Sequence, residues 1–158
     1  MSAASDSVAA ENPMIASNIY LSIIVPAFNE AARIGGTLQR IREHLSLTSF
    51  TYEIVVVLDG SQDNTREAVE RFLCDRCTVK IIARQENRGK GYTVREGMLA
   101  ARGQIRLFTD ADNSTDIAHF DKMKLLFDQG CDIVIASRNA MDAPGAVQVV
   151  SQAWYKRA

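Results

Sequence analysis

Along this chain, short runs of Ile, Val and Leu alternate with longer segments in which apolar residues recur every three or four positions. The runs predict strands over residues 20–26, 52–58, 79–83, 105–109 and 133–136. The periodic segments predict helices over 30–45, 65–74, 91–102 and 116–129. The run Ile54-Val55-Val56-Val57-Leu58 offers no polar face, so it reads as a parallel strand covered by helices on both sides. In the first helix Ile34, Leu38, Ile41 and Leu45 fall on one stripe suited to packing on a sheet. Asn64 and Glu67 have the spacing of a capping box opening the second helix. Strands alternating with helices through short connections predict an α/β fold, a mostly parallel Rossmann-like sheet flanked by helices. Right-handed crossovers then bring all the strand C-termini to one edge, where open α/β sheets bind their ligands.

Polar residues collect at that edge: Asn29 and Glu30, then Asp59, Ser61 and Asp63, then Arg84 and residues 87–91, then Asp110 and Asp112, then Ser137 and Arg138. A length of 158 residues predicts one domain, over 19–158, behind a disordered leader over 1–18. With 18 Lys and Arg against 19 Asp and Glu, no broad basic field exists to hold nucleic acid, so any anion must be held locally. The apolar stretch over 19–28 is about half of the roughly 20 residues a bilayer requires, and Pro26 interrupts it, so no transmembrane segment is predicted. The leader lacks Lys and Arg, unlike a secretory signal, which predicts a cytoplasmic protein. Cys74, Cys77 and Cys131 are an odd set with no second ligand pair, so they read as reduced structural thiols.

Asp110-Ala111-Asp112 places two carboxylates on a turn after an apolar strand, where both can face one hard cation. Mg²⁺ or Mn²⁺ held by so few protein oxygens completes its shell with substrate phosphates and water, which points to a diphosphate ligand. In Asn87-Arg88-Gly89-Lys90-Gly91 two glycines permit close backbone approach beside two cations at a helix start. The loop is neither a Walker A sequence, since Gly91 follows Lys90, nor a dinucleotide fingerprint, since Val94 takes the third glycine position. Asp59 ends a buried strand, where a carboxylate can accept from a nucleobase N–H or ribose hydroxyls, while Asp63 reads as a cap for the next helix. His119 sits in a helical stretch with no Ser or Cys partner, so no catalytic triad is indicated.

Taken together, residues 23–30, 59–65, 87–91 and 110–112 resemble, in order, the motifs of family-2 glycosyltransferases of the GT-A fold. Within that family they look most like the polyprenyl-phosphate sugar synthases, the dolichyl-phosphate glucosyl- and mannosyltransferases and their undecaprenyl counterparts. The resemblance implies that Pro26, Ala27, Asn29, Glu30, Asp59, Asn87, Gly89, Lys90, Asp110 and Ala111 hold a UDP- or GDP-sugar. It implies that Asp112 and Asp110 hold Mg²⁺ or Mn²⁺, and that Asp110, Asp112, Lys90 and Arg138 carry the chemistry. The implied reaction is inverting transfer of a hexose to a polyprenyl phosphate at the cytoplasmic face of a membrane. Three features depart from the family pattern. Leu58 stands where an aspartate commonly precedes Asp59, Tyr92 stands where a small residue is favoured, and the chain stops at Ala158, before the acceptor-binding half. The acceptor-docking residues are accordingly expected outside this chain, a sheet edge left open could support self-association, and a nucleotide-sugar-binding module without transfer activity is the alternative. A phosphorylation switch centred on Asp59 is disfavoured, because Ala27 and Phe28 stand where an acidic pair is needed.

Overall fold

The two most apolar runs become neighbouring central strands. The computed structural model describes residues 18–73 and 78–136. Strands β1 (Leu21–Ala27), β2 (Tyr52–Asp59), β3 (Thr78–Arg84) and β4 (Ile105–Phe108) form a parallel sheet in the order β3-β2-β1-β4. The central pair is buried on both faces, as the lack of a polar alternation in residues 54–58 requires. The edge strand β4 keeps an alternating pattern, half-buried and exposed. Pro26 stands beyond the reach of β4, which ends opposite Ile24, so its missing N–H interrupts no pairing on that side.

Helices α1 (Ile34–Leu45), α2 (Thr65–Glu70) and α3 (Lys90–Ala100) fill the crossovers. In α1 the stripe of Ile34, Leu38, Ile41 and Leu45 is buried. Against α3, Ile24, Val55, Val57 and Ala101 form one core cluster, with Ile82 and Met98 at its margin. α3 lies very close to the sheet at Gly97, where a Cβ would come within 2.4 Å of Ile24 Cγ2 and 3.1 Å of Val57 Cγ2. A second compact unit begins at His119 with α4 (His119–Asp128).

Several expected boundaries shift. The first helix begins at Ile34 instead of residue 30: a turn in which the Glu30 carbonyl accepts from the Arg33 and Ile34 N–H groups precedes it, and Arg33, at φ −115°, departs from helical geometry between the two. α2 ends at Glu70 and α3 at Ala100. Asn64 makes no side-chain capping bond, so the expected capping box does not form. Asp63 takes that place, its Oδ1 accepting the Thr65 N–H at 3.0 Å. Residues 133–136 form no strand, and Ile133 and Ile135 are exposed. An apolar run becomes a strand only where a neighbour completes its ladder, and none does among the described residues. The leader over 1–17, Cys74, Cys77, Ser137 and Arg138 lie outside the described residues. Cys131 is an exposed free thiol. Among the described residues no helix is long and apolar enough to cross a membrane.

Candidate functional site

At the C-terminal edge of the sheet, four loops surround a cleft of about 330 Å³. Its lining comprises Pro26 and Ala27 at the end of β1, Phe28 and Glu30 after it, Asp59 from β2, and Asn87, Gly89, Lys90 and Thr93 at the start of α3. Asp110, Ala111 and Asp112, after β4, complete it.

The loops after β1 and β2 are stitched together through their backbones. The Asn29 N–H donates to Ser61 Oγ at 3.1 Å, and Asn29 Oδ1 accepts from the Gln62 N–H at 2.9 Å. The Glu30 N–H donates to Thr65 Oγ1 at 2.8 Å, and the Ala31 N–H to Asp63 Oδ2 at 3.1 Å. Asn29 adopts φ 54°, a left-handed conformation that Asn tolerates better than most residues. It therefore joins two loops, and it is the one candidate among the described residues that the cleft does not include. Led by the Thr65 hydroxyl, the donors around Asp63 outweigh a desolvation that opposes them and hold its carboxyl below the ordinary value.

Asp59 is 3% exposed. Its Oδ1 accepts from Arg84 Nη2 at 2.5 Å and from the Arg88 N–H at 2.8 Å. Burial acts to raise its pKa, but the Arg88 N–H, the Thr93 hydroxyl and the Arg84 guanidinium outweigh it and keep the carboxyl below the usual range. The next residue must be glycine on two counts: Gly60 has φ 73°, and a Cβ there would sit 2.7 Å from the Asn87 backbone N. That close approach presses the loop before α3 against the end of β2.

Gly89, at φ 86°, precedes the first residue of α3, and its carbonyl accepts from both the N–H and the hydroxyl of Thr93, at 3.1 and 2.9 Å. From this helix start Lys90 Nζ reaches across to Asp110 Oδ1 at 2.5 Å. The turn that carries Asp110 and Asp112 hangs from α1, where the buried Thr37 Oγ1 donates to the Ala111 carbonyl at 2.7 Å. Asp112 Oδ1 accepts the Ser114 N–H at 2.9 Å, which closes a local turn. That bond is the leading cause holding its carboxyl below the ordinary value; desolvation opposes it, and the Ser114 hydroxyl and the positive field of Arg33 reinforce it. Arg33 is itself paired with Glu30, Nε to Oε2 at 2.7 Å.

Among the described residues no group of three or more His, Cys, Asp or Glu converges as a self-sufficient metal cage. Two carboxylates on one turn, both opening on the cleft, instead fit a hard divalent cation that takes its remaining oxygens from a diphosphate and water. Sequence reasoning missed Phe28 and Thr93 in the lining, and Thr37 and Arg33 behind it. Thr93 had a usable signal, since a hydroxyl lies on the inner face of α3 where an apolar residue would otherwise pack.

Residues 22–154 match the family described as Glycosyl transferase family 2. The dolichyl-phosphate beta-glucosyltransferase of Drosophila melanogaster is 40% identical over 119 residues, covering 71% of this chain and 36% of that protein. The enzyme of the same name from Dictyostelium discoideum is 36% identical over 121 residues, 72% of this chain and 37% of its own. Among solved structures, the mannosyltransferase PcManGT from Pyrobaculum calidifontis in complex with GDP-Man and Mn²⁺ is 30% identical. It has a TM-score of 0.53 and covers 62% of this chain and 29% of its own. S. aureus TarS 1-349 in complex with UDP-GlcNAc is 25% identical with a TM-score of 0.59, covering 70% of this chain and 32% of its own. The chain thus spans about a third of the length of the curated relatives it matches.

Proposed function

Since the chain belongs to glycosyl transferase family 2 and has the GT-A fold, we propose that its cleft binds the donor for an inverting hexosyl transfer. The donor is a UDP- or GDP-sugar, the acceptor a polyprenyl phosphate of the dolichyl type, and the reaction depends on Mg²⁺ or Mn²⁺. The site of action is the cytoplasmic face of a membrane. The observation that carries this reading is the meeting, in one cleft, of Asp59, Lys90 and the Asp110–Asp112 pair from three different strand ends. The names of the relatives support the lipid phosphate as acceptor.

In the reaction a phosphate oxygen of the acceptor attacks the anomeric carbon from the face opposite the nucleotide, and the bond from that carbon to the diphosphate oxygen breaks. The attacking oxygen is already anionic, so no side chain has to remove a proton, and the absence of a poised His costs nothing. The demanding quantity is the negative charge that gathers on the departing nucleoside diphosphate. Lys90 is placed to donate to those phosphate oxygens from the N-terminus of α3, whose exposed N–H groups also favour an anion. Asp110 and Asp112 would hold the divalent cation. When bound, it neutralises part of the leaving-group charge. Asp59 accepts from the base or ribose, and Pro26, Ala27 and Phe28 shield that end of the cleft from water. Arg138, outside the described residues, would add a second positive charge.

A direct test titrates UDP-glucose and GDP-mannose into the purified chain with Mn²⁺ and with chelator, beside Asp112→Ala. Metal-dependent binding of one donor, lost in the variant, is the expected result; binding of neither donor would overturn the reading. Offering a short polyprenyl phosphate with labelled donor then separates transfer from the alternative, a nucleotide-sugar-binding module without turnover.

A further inference from the structure

Arg84 closes β3 directly opposite Asp59 in the ladder, and it does not line the cleft. Its side chain is 13% exposed, and its guanidinium spends its donors on three partners. Nη2 donates to Asp59 Oδ1 at 2.5 Å and to Thr93 Oγ1 at 2.7 Å, and Nη1 donates to Glu96 Oε2 at 2.7 Å. The ring of Tyr92 lies over it, 4.8 Å from centroid to guanidinium carbon, and Arg88 stacks on the same ring at 5.2 Å. The Arg84 Nε is buried with no hydrogen-bond partner. A buried guanidinium with an unmet donor is a poor choice for stability alone, where an apolar residue of similar volume often serves better.

The arrangement makes sense as a device for aiming a carboxylate. Asp59 Oδ1 receives Arg84 Nη2 from one side and the Arg88 N–H from another, so two donors converge on one oxygen, and Arg84 is the side chain among them whose replacement would free the carboxylate to turn. We propose that Arg84 is a positioning residue for donor recognition, orienting the Asp59 carboxylate that takes up the nucleoside, with Tyr92 covering the guanidinium and excluding water from the pair. The inference rests on the nucleotide-sugar reading of the cleft. Because Glu96 draws on the other side of the fork, the planar guanidinium is held in place as well as the carboxylate, which a lysine ammonium could not reproduce.

The test is a double-mutant cycle on the full chain, titrating UDP and GDP with Mn²⁺ present into wild type, Asp59→Asn, Arg84→Gln and the double variant. For whichever nucleotide binds, Asp59→Asn is expected to weaken affinity about thirtyfold and Arg84→Gln about tenfold, as for the loss of one charge-assisted hydrogen bond. The double variant should bind no worse than Asp59→Asn alone, because Arg84 acts through Asp59. Arg84→Lys should recover only part of the loss. Should Arg84→Gln fail to fold, judged by thermal melting, Tyr92→Leu takes its place and should weaken binding about threefold, as for a lost cation–π cover. Losses that add in the double variant, or full affinity in Arg84→Gln or in Tyr92→Leu, would overturn the positioning role. Full affinity in Asp59→Asn removes Asp59 from the contact and overturns it as well. A wild-type chain that binds neither nucleotide overturns the reading beneath it.

Discussion

Strand β2 carries two buried carboxylates on the same face, Glu53 near its start and Asp59 at its end, and α3 packs between them against Val55 and Val57. Glu53 lies at the C-terminal end of α3: its Oε1 accepts the Ser22 hydroxyl and the Arg102 N–H, both at 2.6 Å, with Arg102 Nε 3.4 Å from Oε2. Asp59 lies at the N-terminal end, where the helix dipole favours a negative charge, and its other face opens on the cleft. Both are acidic, buried and well bonded. What separates a structural carboxylate from a recognition carboxylate is which end of the parallel strand it occupies, since ligands meet open α/β sheets at the carboxyl ends.

The sharpest way to break this contrast is Glu53→Ala. It strands the Arg102 and Ser22 donors and should cost about 3 kcal/mol in urea unfolding. The fraction that remains folded should bind nucleotide with unchanged affinity. Gly97→Ala should come next, at about 2 kcal/mol, because its Cβ forces α3 off Ile24. Since Thr93 of α3 bears on Asp59, this variant, unlike Glu53→Ala, should lose nucleotide affinity along with stability. Asp59→Asn should lower stability by only about 1 kcal/mol while weakening nucleotide binding about thirtyfold, the mirror image of Glu53→Ala.

Acid should weaken the loops around the cleft. Asp59, Asp63 and Asp112 have pKa values lower folded than unfolded, so their contribution to stability is complete at neutral pH and fades as pH falls below about 4. A urea midpoint that drops less steeply between pH 5 and pH 3 in Asp59→Asn than in wild type would show its share. The smallest stability change, within about 0.5 kcal/mol, belongs to Lys90→Met, because the Lys90–Asp110 pair is largely exposed. Its readout is elsewhere: Mn²⁺ alone should bind more tightly once Lys90 no longer competes for Asp110, and the nucleotide more weakly.

The sheet was legible because uninterrupted Ile and Val runs have few alternatives to a doubly covered parallel strand, and β1 to β4 fall within a residue or two of the runs that predict them. The exception is instructive. Ile133-Val134-Ile135-Ala136 is as apolar as the Ile23-Ile24-Val25 centre of β1, but composition does not supply the neighbour a ladder requires. At the cleft, the charged and glycine-rich positions were legible because chemistry restricts their types. Asn29 is harder to read, since an amide beside a strand end can meet a ligand or join two loops; its left-handed backbone and its bond from the Gln62 N–H show the second use. Phe28 and Thr93 were hidden for the opposite reason, being residue types that occur on any loop or helix.

The bond from Thr37 to the turn between Asp110 and Asp112 is made to the Ala111 carbonyl, a group every amino acid possesses. The bond itself therefore survives exchange of the side chain at 111, which borders the cleft, and what limits the exchange is packing, since Ala111 is buried. Within that limit a lineage can reshape the room available to a donor by single substitutions at 111 without re-inventing the acidic pair on either side, whereas position 37 must keep a hydroxyl.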